Sequence, residues 1–336
     1  NYDLTAMASG ENVSIGKRQK GGSLNLDGYL AEACFIDGLA LSPTSFGEFD
    51  EDSPSIWKPI DVSGLTFGNN GFYLDFEDSA NLGNDANGGT DLTESNLAAA
   101  DQATDTPTNN FCTMNPLEKN TNNTQAFSEG NNVVVITGGY APVGSTMSVS
   151  SGKWYVECHI DSTVSSGDLN IMLGINGSYN DPGNNTLGYS ASAYGYYLYN
   201  GYMLNNNSGN SNTGGSQYNS SPGGGVTDDN KTWSLALDCD NNKLYVALNG
   251  SWLASGDPAA GSNGFAITAP ASTDWGAYRF ANGVYFGHTN TFSWNFGGCP
   301  GFAITSGNTD GTYGNFEYAV PSGFKALCTK NLAEYG

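Results

Sequence analysis

The stretch "ALDCDNNKLYVALNGSW", residues 236–252, holds two turn signals inside one alternating apolar run. Asp240-Asn241-Asn242-Lys243 is the first and Asn249-Gly250 the second. Asn tolerates positive φ better than other non-glycine residues, and Asn-Gly is the strongest short hairpin signal. A two-residue turn at Asn241-Asn242 sets Leu237 opposite Val246 and Leu235 opposite Leu248. A second turn at Asn249-Gly250 sets Val246 opposite Leu253. One face is then Leu235, Leu237, Val246, Leu248 and Leu253. A three-residue first loop would oppose Leu235 to Asn249, so the apolar pattern selects the register. The product is a three-stranded antiparallel meander with one dry face, which needs a second sheet over it.

The rest of the chain carries the same pattern. Its 336 residues include 46 Gly, 19 Tyr and 16 Phe, with long runs of Asn, Ser and Thr. Strand formers alternating with turn formers predict an all-β protein, an antiparallel β-sandwich. The only helical signal is a short one over 95–103. Strands are predicted over 133–136, 153–160, 170–175, 194–198, 232–239, 243–248, 275–280 and 291–296. These place one sandwich domain at 131–298. Residues 1–46 hold two or three strands and are too short to close a core alone. Residues 47–130, with a strand at 71–76, read as an extended linker laid along a neighbouring surface. Residues 299–336 read as a tail, and 200–229 as a polar loop without packing residues.

Charge narrows the partners. Eleven basic and 33 acidic side chains give a formal net charge of −22. Neither nucleic acid nor an anionic membrane is attracted to such a chain, and no run of about 18 apolar residues offers a membrane span. The chain opens on "NYDLTAMASG", without Met and without a secretory leader, as an excerpt or a processed product would. None of the six cysteines is in C-x-x-C spacing, and they read as small buried residues, with Cys158 and Cys239 as a candidate pair.

Catalytic signals are sparse. His159 sits in a strand pattern and His288 in a turn, neither beside a nucleophile elbow or an H-E-x-x-H helix. No phosphate-binding glycine loop occurs. Paired carboxylates are the remaining enzymatic route, since a glycosidase needs only two. The loop "DSANLGNDANGGTD", 78–91, offers Asp78, Asp85, Asn87 and Asp91 as hard oxygen ligands for Ca²⁺, without EF-hand register. No other cofactor is indicated. For carbohydrate, "YGYYLYNGYM", 194–203, supplies a ring cluster. By alternation Tyr194, Tyr196 and Leu198 share one face, and Tyr197 and Tyr199 the other. Tyr197, Tyr199 and Tyr202 form the candidate glycan rim, with Trp252 and Trp275 flanking other loops. Tyrosine rings can bury their bodies and leave their hydroxyls wet. Of eight N-x-[ST] triplets, several, such as Asn176 and Asn249, coincide with turns.

Several segments resemble a known family. "SGKWYVE" (151–157), "LGI" (173–175), "GYSASAYGYYLYN" (188–200), "WSLALDCDNNKLYVALNGSW" (233–252) and "FSWNFG" (292–297) follow the order of SPRY-like domains, which are concanavalin-like sandwiches. The version is similar to that of tailed-phage and marine-virus structural proteins, where an "NFG" strand precedes a "P-x-GFKALCT-x-NL" tail. Here the two are "NFGGCPGF" and "PSGFKALCTKNL", separated by a longer insert. "GYLAEACFIDGLALSPTSFGEFD" and "DTPTNNFCTMNPL" resemble the segment that closes a laminin-G-like sandwich upstream. The resemblance implies a virion protein, a fibre, tail appendage or capsid decoration on the particle surface, and the sparse catalytic signals make a non-enzymatic role the expectation. Its implied partners are other virion proteins, copies of itself and a host-surface glycan. A virion polysaccharide depolymerase is the alternative.

Overall fold

The quoted stretch does fold back twice, but the first hairpin has a different register. Leu235 faces Val246, Leu237 faces Leu244 and Asp238 faces Lys243, so the connection is the four residues 239–242 rather than two. The Asp238 side chain decides this. Its Oδ1 accepts the Asn241 N–H at 2.9 Å and its Oδ2 accepts Asn241 Nδ2 at 2.9 Å, while Asn242 takes φ 55°. The difference is a slip of two, which preserves parity, so the same side chains still face the core. The second turn follows the Asn-Gly signal: Leu248 faces Ser251, with φ 46° at Asn249 and 76° at Gly250.

The computed structural model describes residues 14–17, 25–26, 28–51, 54–118, 124–140, 142–162, 170–178, 185–206, 215–218, 230–285 and 289–336. His288 lies outside them. Four short strands come first: β1 (Ala33–Phe35), β2 (Gly47–Phe49), β3 (Trp57–Pro59) and β4 (Phe72–Leu74). β1 pairs with β4 and β2 with β3. Next come β5 (Thr124–Ser128), β6 (Val133–Thr137), β7 (Val143–Gly144), β8 (Lys153–Ser162), β9 (Ile171–Asn176) and β10 (Ala193–Tyr197). They are followed by β11 (Tyr202–Leu204), β12 (Gly215–Gln217), β13 (Lys231–Asp238), β14 (Lys243–Leu248) and β15 (Ser251–Trp252). β16 (Phe265–Ala266), β17 (Arg279–Val284), β18 (Thr289–Asn295), β19 (Lys325–Ala326) and helix α1 (Thr329–Tyr335) complete the chain. In place of the helix expected over 95–103 there is one 3-10 turn, Ala99–Asp101.

Two antiparallel sheets form the sandwich. One runs β12-β11-β10-β9-β17-β7; the other runs β15-β14-β13-β8-β18-β6-β5, with β16 on β14 and β19 parallel on β8. Trp154, Val156, Cys158 and Ile160 of β8 and Trp233, Leu235 and Leu237 of β13 point inward. They meet Leu173 and Ile175 of β9, Tyr194 and Tyr196 of β10 and Phe280 of β17. This is the covering sheet that the dry meander face requires.

A third layer accounts for the side chains facing the other way. Tyr155, Ala236 and Tyr245 lie on the outer face of the larger sheet, buried under Phe316, Phe324, Ala326 and Cys328. Residues 299–336, read as a tail, are therefore part of the packed body. Glu157 is fully buried there. It accepts the backbone N–H groups of Glu317 (2.9 Å) and Tyr318 (2.8 Å), the Tyr155 hydroxyl (2.9 Å) and Asn295 Nδ2 (3.2 Å). Burial raises its carboxyl above the ordinary value against the pull of these donors.

Other expectations also need correction. β5, inside the stretch read as a linker, pairs with β6 along its whole length. Met203 and Leu204, inside the supposed polar loop, are buried. The strand expected over 275–280 begins only at Arg279, because Gly276 takes φ 69° and Thr273 Oγ1 receives the Ala277 N–H at 3.1 Å. Cys158 and Cys239 are free thiols. Cys158 stands opposite Trp233, whereas Cys239 follows the Asp238–Lys153 pair. That separation is about 20 Å along the strand, against the roughly 7 Å limit for a bridge between Cα atoms.

Candidate functional site

Alternation in β10 sends Tyr194 and Tyr196 into the core and Tyr197 to the outer face of the smaller sheet. Tyr202 on β11 is the cross-strand partner of Tyr197. The turn between them is held by Asn200 Oδ1, which accepts the Tyr202 N–H at 3.0 Å, and by Gly201 at φ 74°. Two tyrosines that the sequence reading did not single out arrive at the same end of this sheet. Tyr285 follows β17, its N–H bonded to Asn170 O at 2.8 Å; Tyr140 precedes β7, its N–H bonded to Val284 O at 2.7 Å.

The rings form a continuous series. Tyr140 meets Tyr285 edge-on at 5.4 Å, Tyr285 meets Tyr197 at 6.4 Å, and Tyr197 meets Tyr199 at 5.8 Å. Tyr197 has no exposure and its hydroxyl donates to Asn170 Oδ1, so the expectation of an exposed Tyr197 platform is corrected. It is the floor on which half-buried Tyr140, Tyr199 and Tyr202 rest. Burial, and then the adjoining Tyr140 hydroxyl, raise the Tyr285 phenol above its ordinary value, so it remains a neutral hydroxyl. Tyr140 adopts φ 57°, a left-handed conformation uncommon for a bulky residue. Such local strain persists only where surrounding contacts hold it. The arrangement offers apolar ring faces edged with neutral donors and acceptors, suited to an uncharged polyhydroxylated ligand.

Trp252 and Trp275 are not part of this rim. Trp252 packs on Tyr155 and Tyr245, each at 6.4 Å, on the outer face of the larger sheet. Trp275 lies 4.1 Å from the Arg279 guanidinium, which is ion-paired with Glu118.

The proposed Ca²⁺ ligands do not form a cage. Asp85 is buried and its carboxylate is filled by the N–H groups of Tyr73 (2.9 Å), Asn87 (3.1 Å) and Gly89 (3.1 Å). Asp91 accepts the Asp85 N–H at 3.0 Å and Asn81 Nδ2 at 2.8 Å, and Asp78 accepts the Ala80 N–H at 2.9 Å. Among the described residues no group of three or more His, Cys, Asp or Glu converges as a metal site. At Asp85 backbone donors take the lone pairs that a cation would need. His159 is likewise engaged, its Nδ1 3.0 Å from Thr232 Oγ1 and its ring stacked on Phe302 at 5.3 Å. No helix among the described residues is long and apolar enough to cross a membrane.

No family model matches the chain, and no curated protein does. Among solved structures, the SPRY domain of human HERC1 matches with 13% identity and a TM-score of 0.36, over 53% of this chain and 94% of that one. A stonustoxin structure matches with 16% identity and a TM-score of 0.35, over 55% of this chain and 27% of that one. The all-β antiparallel sandwich rests on its own strand pairing and two-layer core.

Proposed function

We propose that the chain is an adhesive structural component of a virus particle, such as a fibre, tail appendage or capsid decoration, that presents its sandwich to carbohydrate on a host surface. The observation that carries this reading is the tyrosine series Tyr140–Tyr285–Tyr197–Tyr199, with Tyr202 beside it, at one end of the smaller sheet. Resemblance of the "NFG" and "GFKALCT" segments to phage and marine-virus structural proteins supports the setting. Residues 1–46 are then the closing strands of a laminin-G-like sandwich or an assembly segment, with virion proteins and further copies of the chain as partners.

A glycan array probed with the full chain tests the reading. Specific binding is expected, and Tyr199→Ala, Tyr202→Ala and Tyr140→Ala should each reduce it while leaving the thermal melt near wild type. No binding to any glycan, or binding that all three variants retain, would overturn it. Release of oligosaccharide products on prolonged incubation would favour the depolymerase instead.

A further inference from the structure

Seven Asn-Gly dipeptides occur in the chain, beginning at Asn70, Asn87, Asn176, Asn200, Asn249, Asn263 and Asn282. The pair is a turn former, because both residues tolerate positive φ. It is also self-reactive. With no Cβ on the glycine, its backbone nitrogen can reach the Cγ of the asparagine before it. The reaction needs an amide side chain that is free to swing over the next peptide bond.

Six of the seven side chains are held. Asn176 and Asn282 are buried in β9 and β17. Asn176 Oδ1 accepts the Ser178 N–H at 2.8 Å, and Asn282 Oδ1 accepts Trp294 Nε1 at 3.2 Å. Asn70 Nδ2 donates to Asp37 Oδ2 at 2.8 Å, and Asn263 Nδ2 to Ser255 O at 2.9 Å. Asn200 Oδ1 accepts the Tyr202 N–H at 3.0 Å, and Asn249 Oδ1 the Thr232 N–H at 3.1 Å. Asn87 differs. Its backbone N–H is bonded to Asp85 Oδ1 at 3.1 Å, but its side-chain amide has no partner among the described residues. Ala86 to Thr90 are all exposed. The Gly88 N–H donates to Asp85 O at 2.7 Å, in a surface turn whose opening costs little.

This turn is also where a small change of backbone length matters. The buried Asp85 carboxylate holds the N–H groups of Asn87 and Gly89 together with that of Tyr73 on β4. The fit is close, since a Cβ on Gly89 would stand 2.2 Å from Asp85 Oδ2.

We infer that Asn87 is the chain's foremost site of spontaneous conversion to aspartyl and isoaspartyl, and that the isoaspartyl form opens the Asp85 clamp. The Gly88 nitrogen bonds to Asn87 Cγ; the Cγ–Nδ2 bond breaks, and ammonia leaves with the Gly88 proton. Water then opens the cyclic imide. Attack at Cγ gives aspartyl, and attack at the main-chain carbonyl gives isoaspartyl. The second product routes the main chain through the side-chain methylene, between the two N–H groups that Asp85 holds. Either product adds one negative charge. The inference does not use the tyrosine rim, so it and glycan binding stand or fall separately.

Peptide mapping by mass spectrometry on the full chain, held at mildly alkaline pH below its melting temperature, tests the site. The mass gain for exchange of NH₂ by OH should appear at Asn87 several times faster than at each of the other six. Part of that peptide should accept methyl groups from an isoaspartyl methyltransferase. Asn87→Gln, which disfavours the five-membered ring, should stop conversion there and leave the melt unchanged. Hydrogen exchange tests the clamp. The Gly89 amide should lose protection in the isoaspartyl form and keep it in Asn87→Asp, the aspartyl product made genetically. Conversion that begins at another of the seven, or an Asn87 that stays intact, overturns the site. A Gly89 amide equally protected in fresh and isoaspartyl protein overturns the clamp.

Discussion

The carboxylate of Glu157 receives the backbone N–H of Tyr318 at 2.8 Å, joining strand β8 to a segment 161 positions away. Three further donors, from Glu317, Tyr155 and Asn295, fill the same group. Here the third layer is fastened to the sandwich, and Glu157→Gln turns an amide NH₂ toward donors that need an acceptor. We expect a loss of about 2–3 kcal/mol in urea unfolding, with faster amide exchange over 316–328. A change below about 0.5 kcal/mol would place the fastening elsewhere.

Leu235 and Val246 face each other in the core-facing row of the larger sheet, and both are buried. Leu235→Ala should cost about 2–5 kcal/mol by the same measurement, whereas Ser251→Ala, at the exposed hairpin tip, should stay within about 0.5 kcal/mol. Equal effects at the two positions would contradict the two-layer core.

Glu317 supplies the pH-dependent contact of the 303–318 region. Its Oε2 accepts the Thr305 N–H at 2.6 Å and its Oε1 the Thr305 hydroxyl at 2.7 Å. The Thr305 N–H, foremost among these donors, holds its carboxyl below the ordinary value. A lowered value means that this contribution is present above the unfolded carboxylate range, near about 4.3, and is lost as pH falls through the lower folded value. The Thr305 amide resonance should therefore shift on acidification below that range, and Glu317→Gln should abolish the step. A wild-type amide that does not respond would contradict the assignment.

Backbone donors fill Asp85, so neither EDTA nor Ca²⁺ should move the thermal midpoint. Asp85→Ala should instead cost about 2–3 kcal/mol by stranding buried N–H groups. A Ca²⁺-dependent rise of several degrees in wild type, absent from the variant, would show that the loop reorganises around the ion.

Much of this molecule follows from local chemistry. Apolar alternation assigns Leu235, Leu237 and Val246 to one face for every turn that keeps the parity of the pairing, two residues or four, because side-chain period in a strand is two. Asn249-Gly250 sets its own turn, since both positions need positive φ and both residues tolerate it. Tertiary structure decided what covers the other faces. "WYVECHI" is packed on both sides because Phe302 and the 310–328 region return over its outer face, and no short-range pattern encodes a cover supplied from so far along the chain. Tyr197 is likewise a floor rather than a platform because Leu187 and Tyr285 close over it. Asp85 holds a turn rather than a cation because Tyr73, brought close by the fold, donates to it alongside Asn87 and Gly89. A carboxylate or a ring has the same intrinsic chemistry in either role; which role it takes depends on the neighbours that reach it first, and those are set by the packing of distant segments.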